Sequence, residues 1–456
     1  METALHLRRA ALGLVALLGI GVSAPAGGEE EGDLEDILGA FEDEDPEFAV
    51  DMEAAESVGE RGWDFSGSYE LSGSINYLHH RSDTGTNYTG LQRLRNRLNL
   101  QFDARLSENW EVRLEGWGFY DLAYAIEGKR HYTHEVLDVY QRDAEVGEAW
   151  IRGSPHPNLD IKLGRQVVIW GRSETLRVLD VLNPLDNREP GRADLEDLRL
   201  PVTMARVDGY LGDWSLSLMG IPEMRPDKNP VVGSDFYPGS QPIGQEEPKA
   251  FRDWEAAGAL TGIFSGWDLS FHGAWYWDDQ PRFQPGNPDL VHDRLYMLGV
   301  GGNFTTGSWL FKYEFGYVNG LGFSQGPKRN RFDAFAGVEY YGFSDTTIVL
   351  EVLNRHLLSY DSALLQAPNF TRRNTQEIAL RVSRNFWNDR LHITGVGFLQ
   401  GWDARDGAVA RIDIDYDLAD ALQAGVGVLT YWKGDLPPLS DWGRNDRILF
   451  KFRWSF

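Results

Sequence analysis

The last nine residues, Ile448-Leu449-Phe450-Lys451-Phe452-Arg453-Trp454-Ser455-Phe456, alternate between two kinds of side chain. Every second residue is aliphatic or aromatic, and two of the residues between them, Lys451 and Arg453, are basic. Successive side chains of a β-strand point to opposite faces, so this run predicts a strand with one apolar face and one basic face. In a membrane-spanning barrel the apolar face would meet lipid and the basic face would meet the interior.

The same alternation recurs upstream and is longest at residues 93–106. One face there holds Leu94, Asn96, Leu98, Leu100, Phe102, Ala104 and Leu106, and the other holds Arg93, Arg95, Arg97, Asn99, Gln101, Asp103 and Arg105. One such strand could belong to a soluble sheet, so the prediction depends on repetition. Strand patterns continue to residue 456, including 144–153, 159–170 and 200–208, and short turns alternate with long connections. We therefore predict an all-β fold over 63–456: a transmembrane antiparallel β-barrel of about 18 strands, or about 16, with both ends in the periplasm.

The composition agrees with a barrel. The chain has 16 Trp, 18 Tyr, 23 Phe and 50 Gly, yet its mean hydropathy is −0.40. A helical membrane protein would be more apolar, whereas a barrel is polar overall because every second residue faces the lumen. The chain has no cysteine, which excludes disulfides, thiolate metal sites and a catalytic thiol. The net charge of −25 argues against nucleic-acid binding.

Residues 1–26 have the features of a secretory signal peptide. Arg8 and Arg9 precede an apolar run at 10–22, and Ala24-Pro25-Ala26 supplies the small residues of a cleavage site. The run is shorter than the roughly 20 residues that a spanning helix needs. We predict cleavage after Ala26 and export to the outer membrane of a Gram-negative cell.

Residues 27–62 form an acidic leader. Between Glu29 and Glu60 there are 15 acidic residues and no Lys or Arg. Leu34, Ile37, Leu38 and Phe41 have the spacing of one helix face. The leader is expected either to remain solvated with a transient helix or to dock a periplasmic partner or the barrel mouth.

Parity along the strands assigns a set of polar side chains to the interior, where we predict that they line a channel. The set is Arg93, Arg95, Arg97, Gln101, Asp103, Arg105, Arg113, Glu115, Glu148, Gln166, Arg381, Arg411, Asp413, Lys451 and Arg453. Because the last strand must close against the first, Lys451 and Arg453 are expected near the arginines of 93–105. A basic wall facing an acidic one would select polar solutes. The alternative is that the charges pair across strands and fill the interior, and pairing is expected to have the larger share.

The connection at 171–199 is unusually long and carries Asn183-Pro184-Leu185-Asp186 and Pro190-Gly191 between apolar anchors. Loops of this length are usually functional or disordered. We expect it to fold into the barrel as a constriction, with an external lid as the alternative. The candidate constriction residues are Arg172, Asn183, Pro184, Asp186, Arg188 and Arg192. Arg165, just before the loop, falls on the lipid-facing parity, which a β-bulge or a rim position would explain.

The string GRQVVIWG at 164–171, followed by NPLD, PG and LPV, resembles a family of large proteobacterial outer-membrane proteins of unassigned function. The resemblance implies an outer-membrane barrel associated with exporters of hydrophobic compounds and suspected of moving lipid- or sterol-like molecules. Arg172 stands where an acidic residue is commoner in that family, so a shared ligand site is not carried over. Alginate-export barrels are a second resemblance, in size and in an arginine-rich lumen but not in the NPLD loop.

The chain terminus carries a resemblance of its own. Phe450, Phe452, Trp454 and Phe456 are similar to the signal that the barrel-assembly machinery reads on outer-membrane proteins. The implied surroundings are outer-membrane lipids and lipopolysaccharide, with a periplasmic or inner-membrane exporter as a further partner to be tested.

These patterns predict an outer-membrane transport barrel for small hydrophobic or amphipathic, lipid-like solutes. Polysaccharide export and a general porin are the alternatives within transport, and a structural or adhesive barrel is the alternative of another class. No enzyme or cofactor is predicted, because His272 and His392 lie in strands without the serine arrangement of a barrel hydrolase. His131, His134, Glu135 and Asp138 could bind a metal, but such loop residues are more often solvated.

Overall fold

The computed structural model describes residues 62–78, 82–245, 248, 251–443 and 445–456. The predicted signal peptide, the leader helix and the cleavage site lie outside these residues. The described strands are β1 Trp63–Leu78, β2 Gly90–Ser107, β3 Trp110–Asp121, β4 Arg142–His156, β5 Leu159–Gln166, β6 Val202–Leu211, β7 Trp214–Ile221, β8 Glu255–Phe264, β9 Trp267–Trp277, β10 Arg294–Thr306, β11 Trp309–Leu321, β12 Arg329–Phe343, β13 Thr346–Leu357, β14 Asn374–Phe386, β15 Leu391–Gln400, β16 Ala408–Ala419, β17 Leu422–Trp432 and β18 Asp446–Ser455.

The strands form one closed antiparallel barrel. Each strand pairs with its neighbours in sequence, and β1 also pairs with β18, so the sheet has 18 strands and no first or last edge. This confirms the predicted fold and the larger of the two strand counts. Closure is complete to the terminus, where Phe456 and Gly67 exchange backbone hydrogen bonds.

The connections divide into short and long ones, each kind at its own end of the barrel. Two-residue turns such as Ser265-Gly266 join β8 to β9, and residues 344–345 join β12 to β13. Four of the long connections are used below and are named L2 (122–141), L3 (167–201), L4 (222–254) and L5 (278–293). Short helices occur in them or in later loops: Ala123–Glu127, Lys129–His131, His134–Val136, Leu137–Gln141, Leu195–Leu198, Ser362–Leu365 and Leu439–Trp442. Within the described residues no helix has the length and apolar character to cross a membrane.

The outer surface has the pattern of a lipid-facing belt. Tryptophans cluster near the short turns, where Trp63, Trp267, Trp309 and Trp454 are 44–50% exposed. Aromatic side chains at the edge of the apolar band are typical of barrels in the outer membrane, because their rings fit the interface between lipid and water. Between the ends, Leu and Val point outward, and Phe450 packs over Gly73.

The interior departs from a uniform polar lining. Inward-facing residues of β6–β14 form an apolar layer that includes Met204, Met219, Leu295, Met297, Val318, Phe335 and Leu353. Six apolar residues of L3 pack on this layer: Val168, Trp170, Leu176, Val178, Leu179 and Leu182. The strict apolar-out, polar-in rule fails here because L3, and not water, covers this part of the inner wall.

The wall is lowest around L3. The predicted strand 159–170 ends at Gln166, and residues 167–170 leave the wall for the interior, where Val168 and Trp170 are buried in the apolar layer. β5 and β7 have 8 residues each, and β4 has 15. A strand needs about 9–11 residues to cross the apolar core of a membrane. β5 and β7 are therefore shorter than such a crossing, whereas β6, with 10 residues, is not.

Candidate functional site in the barrel interior

A cavity of about 750 Å³ lies inside the barrel, between L3 and the inner faces of β1–β3 and β14–β18. The predicted residues that line it are Arg93, Arg95, Arg97, Gln101, Glu115, Arg381, Arg411, Asp413, Lys451 and Arg453, together with Asp186, Arg188 and Arg192 of L3. The geometry therefore brings most of the predicted lumen residues to one space. Their role in transport is considered under the proposed function.

The basic row of β2 continues across the closure seam. In the register, Arg97 lies opposite Glu70 of β1, and Glu70 lies opposite Arg453 of β18. Arg95 is related to Lys451 in the same way through Ser72. The proximity expected from closure is therefore correct. The basic rows of β2 and β18 are close because only β1 lies between these two strands. β1 also carries small or acidic residues at these positions.

Glu189 of L3 is the main anionic partner of this row. Its carboxylate bonds Arg93 and lies 3.6 Å from Arg95, and Arg95 also contacts Asp121 at 3.4 Å. Burial alone would raise the pKa of Glu189, but Arg93, Arg95 and Arg192 hold it well below its usual range. Glu189 therefore stays ionised and fastens L3 to β2.

Three cations of the cavity form no salt bridge with the described residues: Arg97, Arg192 and Arg453. The guanidinium of Arg97 bonds Asn99 at 2.8 Å and lies over the ring of Trp117. The Nη1 atom of Arg192 is buried and has no hydrogen-bond partner. A buried guanidinium nitrogen without an acceptor is costly, so this part of the cavity is suited to an anionic group.

A second set of ion pairs lies on the β14–β16 side of the cavity. Asp194 of L3 contacts Arg381 at 2.8 Å and also bonds Arg411, which contacts Asp413 at 2.6 Å. Burial would raise the pKa of Asp194, but Arg411 and Arg381 lower it. The lining has nine basic and eight acidic residues in all. The cavity is therefore not simply basic, because basic and acidic side chains are interspersed around it and many of them are paired.

The first half of L3 is held by two carboxylates that project from the wall. Glu314 of β11 accepts hydrogen bonds from the backbone N–H groups of Arg172, Ser173 and Leu179. Glu351 of β13 accepts from the N–H groups of residues 174, 175 and 176 at 2.7–3.1 Å, and from the Ser173 hydroxyl. Both carboxylates are fully buried. These bonds satisfy loop backbone that would otherwise be unpaired inside the barrel.

An apolar seat lies beside these carboxylates. Leu179 packs on Gly299 and Gly301 of β10, and a Cβ atom at Gly299 would stand 2.1 Å from the Leu179 side chain. Only glycine leaves room for this approach. The first half of L3 thus rests on a wall that is shaped for it.

The NPLD turn closes the base of L3 and does not border the cavity with all its residues. Asn183 is fully buried, accepts the N–H of Val168 and donates to the carbonyl of Leu200 at 2.9 Å. Pro184 accepts the N–H of Leu200. The expectation that Asn183 and Pro184 belong to the constriction is therefore wrong, because they tie the two ends of the loop together. Gln166 is also fully buried, bonded to the carbonyl of Met204, and does not line a channel.

The remaining predicted interior residues lie toward the short turns. Asp103 and Arg113 form a buried ion pair at 2.8 Å, and Glu148 stands 4.0 Å from Arg113. Arg105 is exposed near the end of β2. These residues fill the wall between neighbouring strands, which is the structural alternative weighed from the sequence.

Arg165 and Arg172 lie on either side of residues 167–170, the segment that leaves the wall for the barrel interior. The ladder passes through Arg165 without a register shift, opposite Ala149 and Thr203, so a bulge does not explain its lipid-facing parity; Arg165 lies next to the end of β5, where the wall is locally short. Arg172 lies within L3, contacts Asp268 of β9 at 3.1 Å and borders a second, small pocket.

Among the described residues, His272 and Ser270 do not form a catalytic arrangement. His272 shares a hydrogen bond with Ser270, but its Nδ1 atom is buried without a partner, so no third group orients the ring. His134 pairs with Asp138 on the exposed surface of L2. In the described part of the chain, no group of three or more His, Asp or Glu side chains is arranged to hold a metal.

Several site residues could not be found from the sequence. Glu189, Asp194 and Asp197 lie in a loop without periodicity, and their partners are distant in sequence. Glu314 and Glu351 were assigned to no role, although their position on a lumen-facing parity was a usable signal. A lone carboxylate on an otherwise apolar inner face indicates a buried partner.

The barrel has the fold of outer-membrane porins. It is similar to Pseudomonas aeruginosa OccK2 (OpdF) in complex with glucuronate, with a TM-score of 0.51 and 11% identity, over 87% of this chain and 98% of that one. Pseudomonas aeruginosa OpdK with vanillate gives a TM-score of 0.51 and 11% identity over 86% and 98% of the two chains. A BenF-like porin from Pseudomonas fluorescens Pf-5 gives 0.51 and 10% over 87% and 98%.

The chain belongs to the family described as "Protein of unknown function (DUF1302)", whose pattern matches residues 8–456. This agrees with the resemblance to an outer-membrane family of unassigned function. No curated protein matches the sequence. The association with exporters and the resemblance to alginate-export barrels gain no support from these comparisons.

Proposed function

We propose that the protein is an outer-membrane channel that admits small organic solutes bearing a carboxylate, with L3 as its constriction. The observation that carries the proposal is the cavity beside β2, where Arg97, Arg192 and Arg453 face a common space without a salt bridge. A carboxylate accepts two parallel hydrogen bonds from a guanidinium, so arginine is well suited to bind it.

The charge arrangement supports passage more than tight binding. Arg93 and Arg95 share Glu189, and Arg411 shares Asp194 and Asp413, so part of the positive charge is already neutralised. A solute therefore meets fixed charges of both signs around the cavity, which orient it without holding it strongly. Two structures with the same fold are complexes with glucuronate and with vanillate, and both ligands are carboxylates.

Of the hydrophobic or amphipathic solutes predicted from the sequence, this geometry favours the amphipathic ones. A fully hydrophobic, lipid-like cargo would have to pass a cavity lined by nine basic and eight acidic residues, which is costly without compensation. An amphipathic acid remains compatible, because its charged end meets arginine.

Liposome swelling with glucuronate, vanillate and glucose tests this function. We expect the two acids to enter faster than glucose, and we expect the double variant Arg97→Gln/Arg453→Gln to lose the preference. Arg206→Gln, on β6 and outside this cavity, is the matched control and should keep it. Equal entry of acids and glucose by the unaltered protein would contradict the proposed selectivity.

A further inference from the structure

A gap in the hydrogen-bonded wall lies beside the first residues of β4. The ladder between β4 and β5 begins at Ala149 opposite Arg165, whereas β4 continues to Arg142. Residues 142–146 pair with β3 on one side. On their other side the ladder contains no partner among the described residues, since the chain has turned into L3 after Gln166.

Charged side chains stand where the missing strand would be. Glu145 of β4 bonds Arg165 at 3.0 Å, Lys228 at 2.6 Å and also Arg225. Arg165 further bonds Glu223 at 3.0 Å. The L4 segment 223–228 thus covers the gap with ion pairs, in place of a β-ladder.

L3 reinforces this cover from the inside. Arg188 contacts Asp143 of β4 at 3.2 Å, and Lys228 lies 3.5 Å from the same carboxylate. Residues Asp186 and Lys228 form a backbone bridge that joins L3 to L4. The two loops therefore meet on the inner side of the gap.

The gap lies at the level of the apolar belt. Val146 and Ala144 are exposed on the outer surface, and Val146 has 57% of its surface accessible. Through β3, Ala144 is in register with Leu98 of β2, which faces outward on a continuous part of the wall. Unpaired backbone is tolerated at membrane depth where it is covered by protein or lines a water-filled cavity. The gap in the wall is therefore a polar passage point in an otherwise apolar belt.

From this arrangement we propose that the wall beside β4 is a lateral window, through which an amphipathic organic acid moves between the lumen and the outer leaflet. The window is defined by residues 142–148 of β4 and 223–228 of L4. Glu145 is its latch, because it joins one wall arginine to two cations of L4. This inference rests on the proposed function, since it gives a second exit to a solute admitted by the cavity.

Passage through the window is tested by cross-linking it shut. The natural chain has no cysteine, so Glu145→Cys/Arg225→Cys can be joined by a short bifunctional thiol reagent in porin-deficient cells. We expect uptake of octanoate to be lost while uptake of glucuronate persists. Asp235→Cys/Arg447→Cys, which tethers L4 to β18 at a 3.0 Å ion pair away from the window, is the matched control.

The outcomes of the cross-linking experiment distinguish failure of the window from failure of the proposed function. Octanoate uptake that survives the cross-link overturns the window and leaves the proposed function intact. Equal loss of both solutes also overturns it, because the segment would then serve a single axial pore. Failure of both solutes to enter before cross-linking contradicts the proposed function itself.

The access of water to the window provides a second, independent test. A charged, membrane-impermeant thiol reagent should modify Val146→Cys in intact cells and spare Leu98→Cys, which faces lipid on the intact wall. Equal protection of both cysteines would show a lipid-sealed wall and overturn the proposal.

Discussion

The two halves of L3 are fastened to the barrel by different physical means. Residues 167–182 are held by backbone N–H groups bonded to Glu314 and Glu351 and by an apolar seat. Residues 186–198 are held by side-chain ion pairs through Glu189 and Asp194. The first half is buried like a protein core, and the second half borders the cavity. The first half therefore fills the barrel interior, and the second half borders the cavity that the proposed function assigns to solutes and ions.

Removing both halves should have the largest effect. We expect deletion of residues 172–198 to raise single-channel conductance several-fold in planar bilayers, because the loop contacts the inner wall from β2 to β17. A conductance that does not change would mean that L3 does not limit the pore.

Damage to the apolar seat should be the next largest effect. Leu179→Ala should lower the free energy of unfolding by about 3 kcal/mol, since it removes a fully buried leucine. Gly299→Ala alone should also destabilise, by about 1–3 kcal/mol, through overpacking. Denaturant titration of the double variant should show a smaller loss than the sum of the two, because the shorter side chain leaves room for the new methyl group. Strict additivity would contradict the packing of Leu179 on Gly299.

Loss of a wall carboxylate should affect the first half of L3 more than loss of a carboxylate affects the cavity side. Glu351→Ala leaves loop N–H groups without an acceptor and should destabilise by about 2 kcal/mol. We expect protease cleavage near residues 173–176 to rise. Asp413→Ala is the matched control on the cavity side. It should cost less than about 1 kcal/mol, because Arg411 keeps Asp194 as a partner.

Loss of an ion pair in the second half should alter selectivity more than stability. Asp194→Asn removes a negative charge between Arg381 and Arg411, both of which line the cavity. Because Asp194 is partly exposed, the stability change should stay below about 1 kcal/mol. Reversal potentials in a salt gradient should shift toward anions. A shift toward cations would contradict the assignment of this charge to the ion path.

We expect the smallest effect from a change of pH, which acts on carboxyl groups near the place where the two halves of L3 meet. Asp227 of L4 accepts the N–H of Leu185 at 2.6 Å, and Asp278 of L5 is close by. Burial, together with nearby Asp293 and Asp227, raises the pKa of Asp278 to about 6, against the opposing effects of the Gln280 N–H and Arg331. A carboxyl whose folded pKa lies above its unfolded value binds its proton more tightly when folded. Stability is therefore gained as the pH falls from 7 toward 4 and lost as it rises through 6.

Hydrogen exchange of L4 and L5 at pH 7 and pH 5 checks this expectation. After correction for the intrinsic amide exchange rate at each pH, the unaltered protein should have larger protection factors at pH 5, by an amount on the order of 1 kcal/mol. Asp278→Asn should remove most of the difference. Smaller protection factors at pH 5 than at pH 7 in the unaltered protein would show that the sign is wrong.

The sequence predicted the parts of this protein that depend on local pattern. Alternation places Leu94, Leu98 and Phe102 on one face, and the terminal run to Phe456 does the same, because a strand has a period of two wherever it lies. Most predicted interior residues consequently reach one cavity. Strand ends near L3 were less accurate, since 167–170 has a strand-like composition but is buried by contacts distant in sequence.

The sequence by itself predicted a closed barrel of about 18 or 16 strands and the basic row that spans β2 and β18. Tertiary structure decided what fills that barrel. Residues of L3 are joined to partners more than 100 positions away, such as Glu314 and Glu351, and no local period reports a contact of that range. It also decided that β5 is short and that charged side chains close the wall beside it. These outcomes depend on where a long loop finds its lowest free energy, which is a property of the assembled interior.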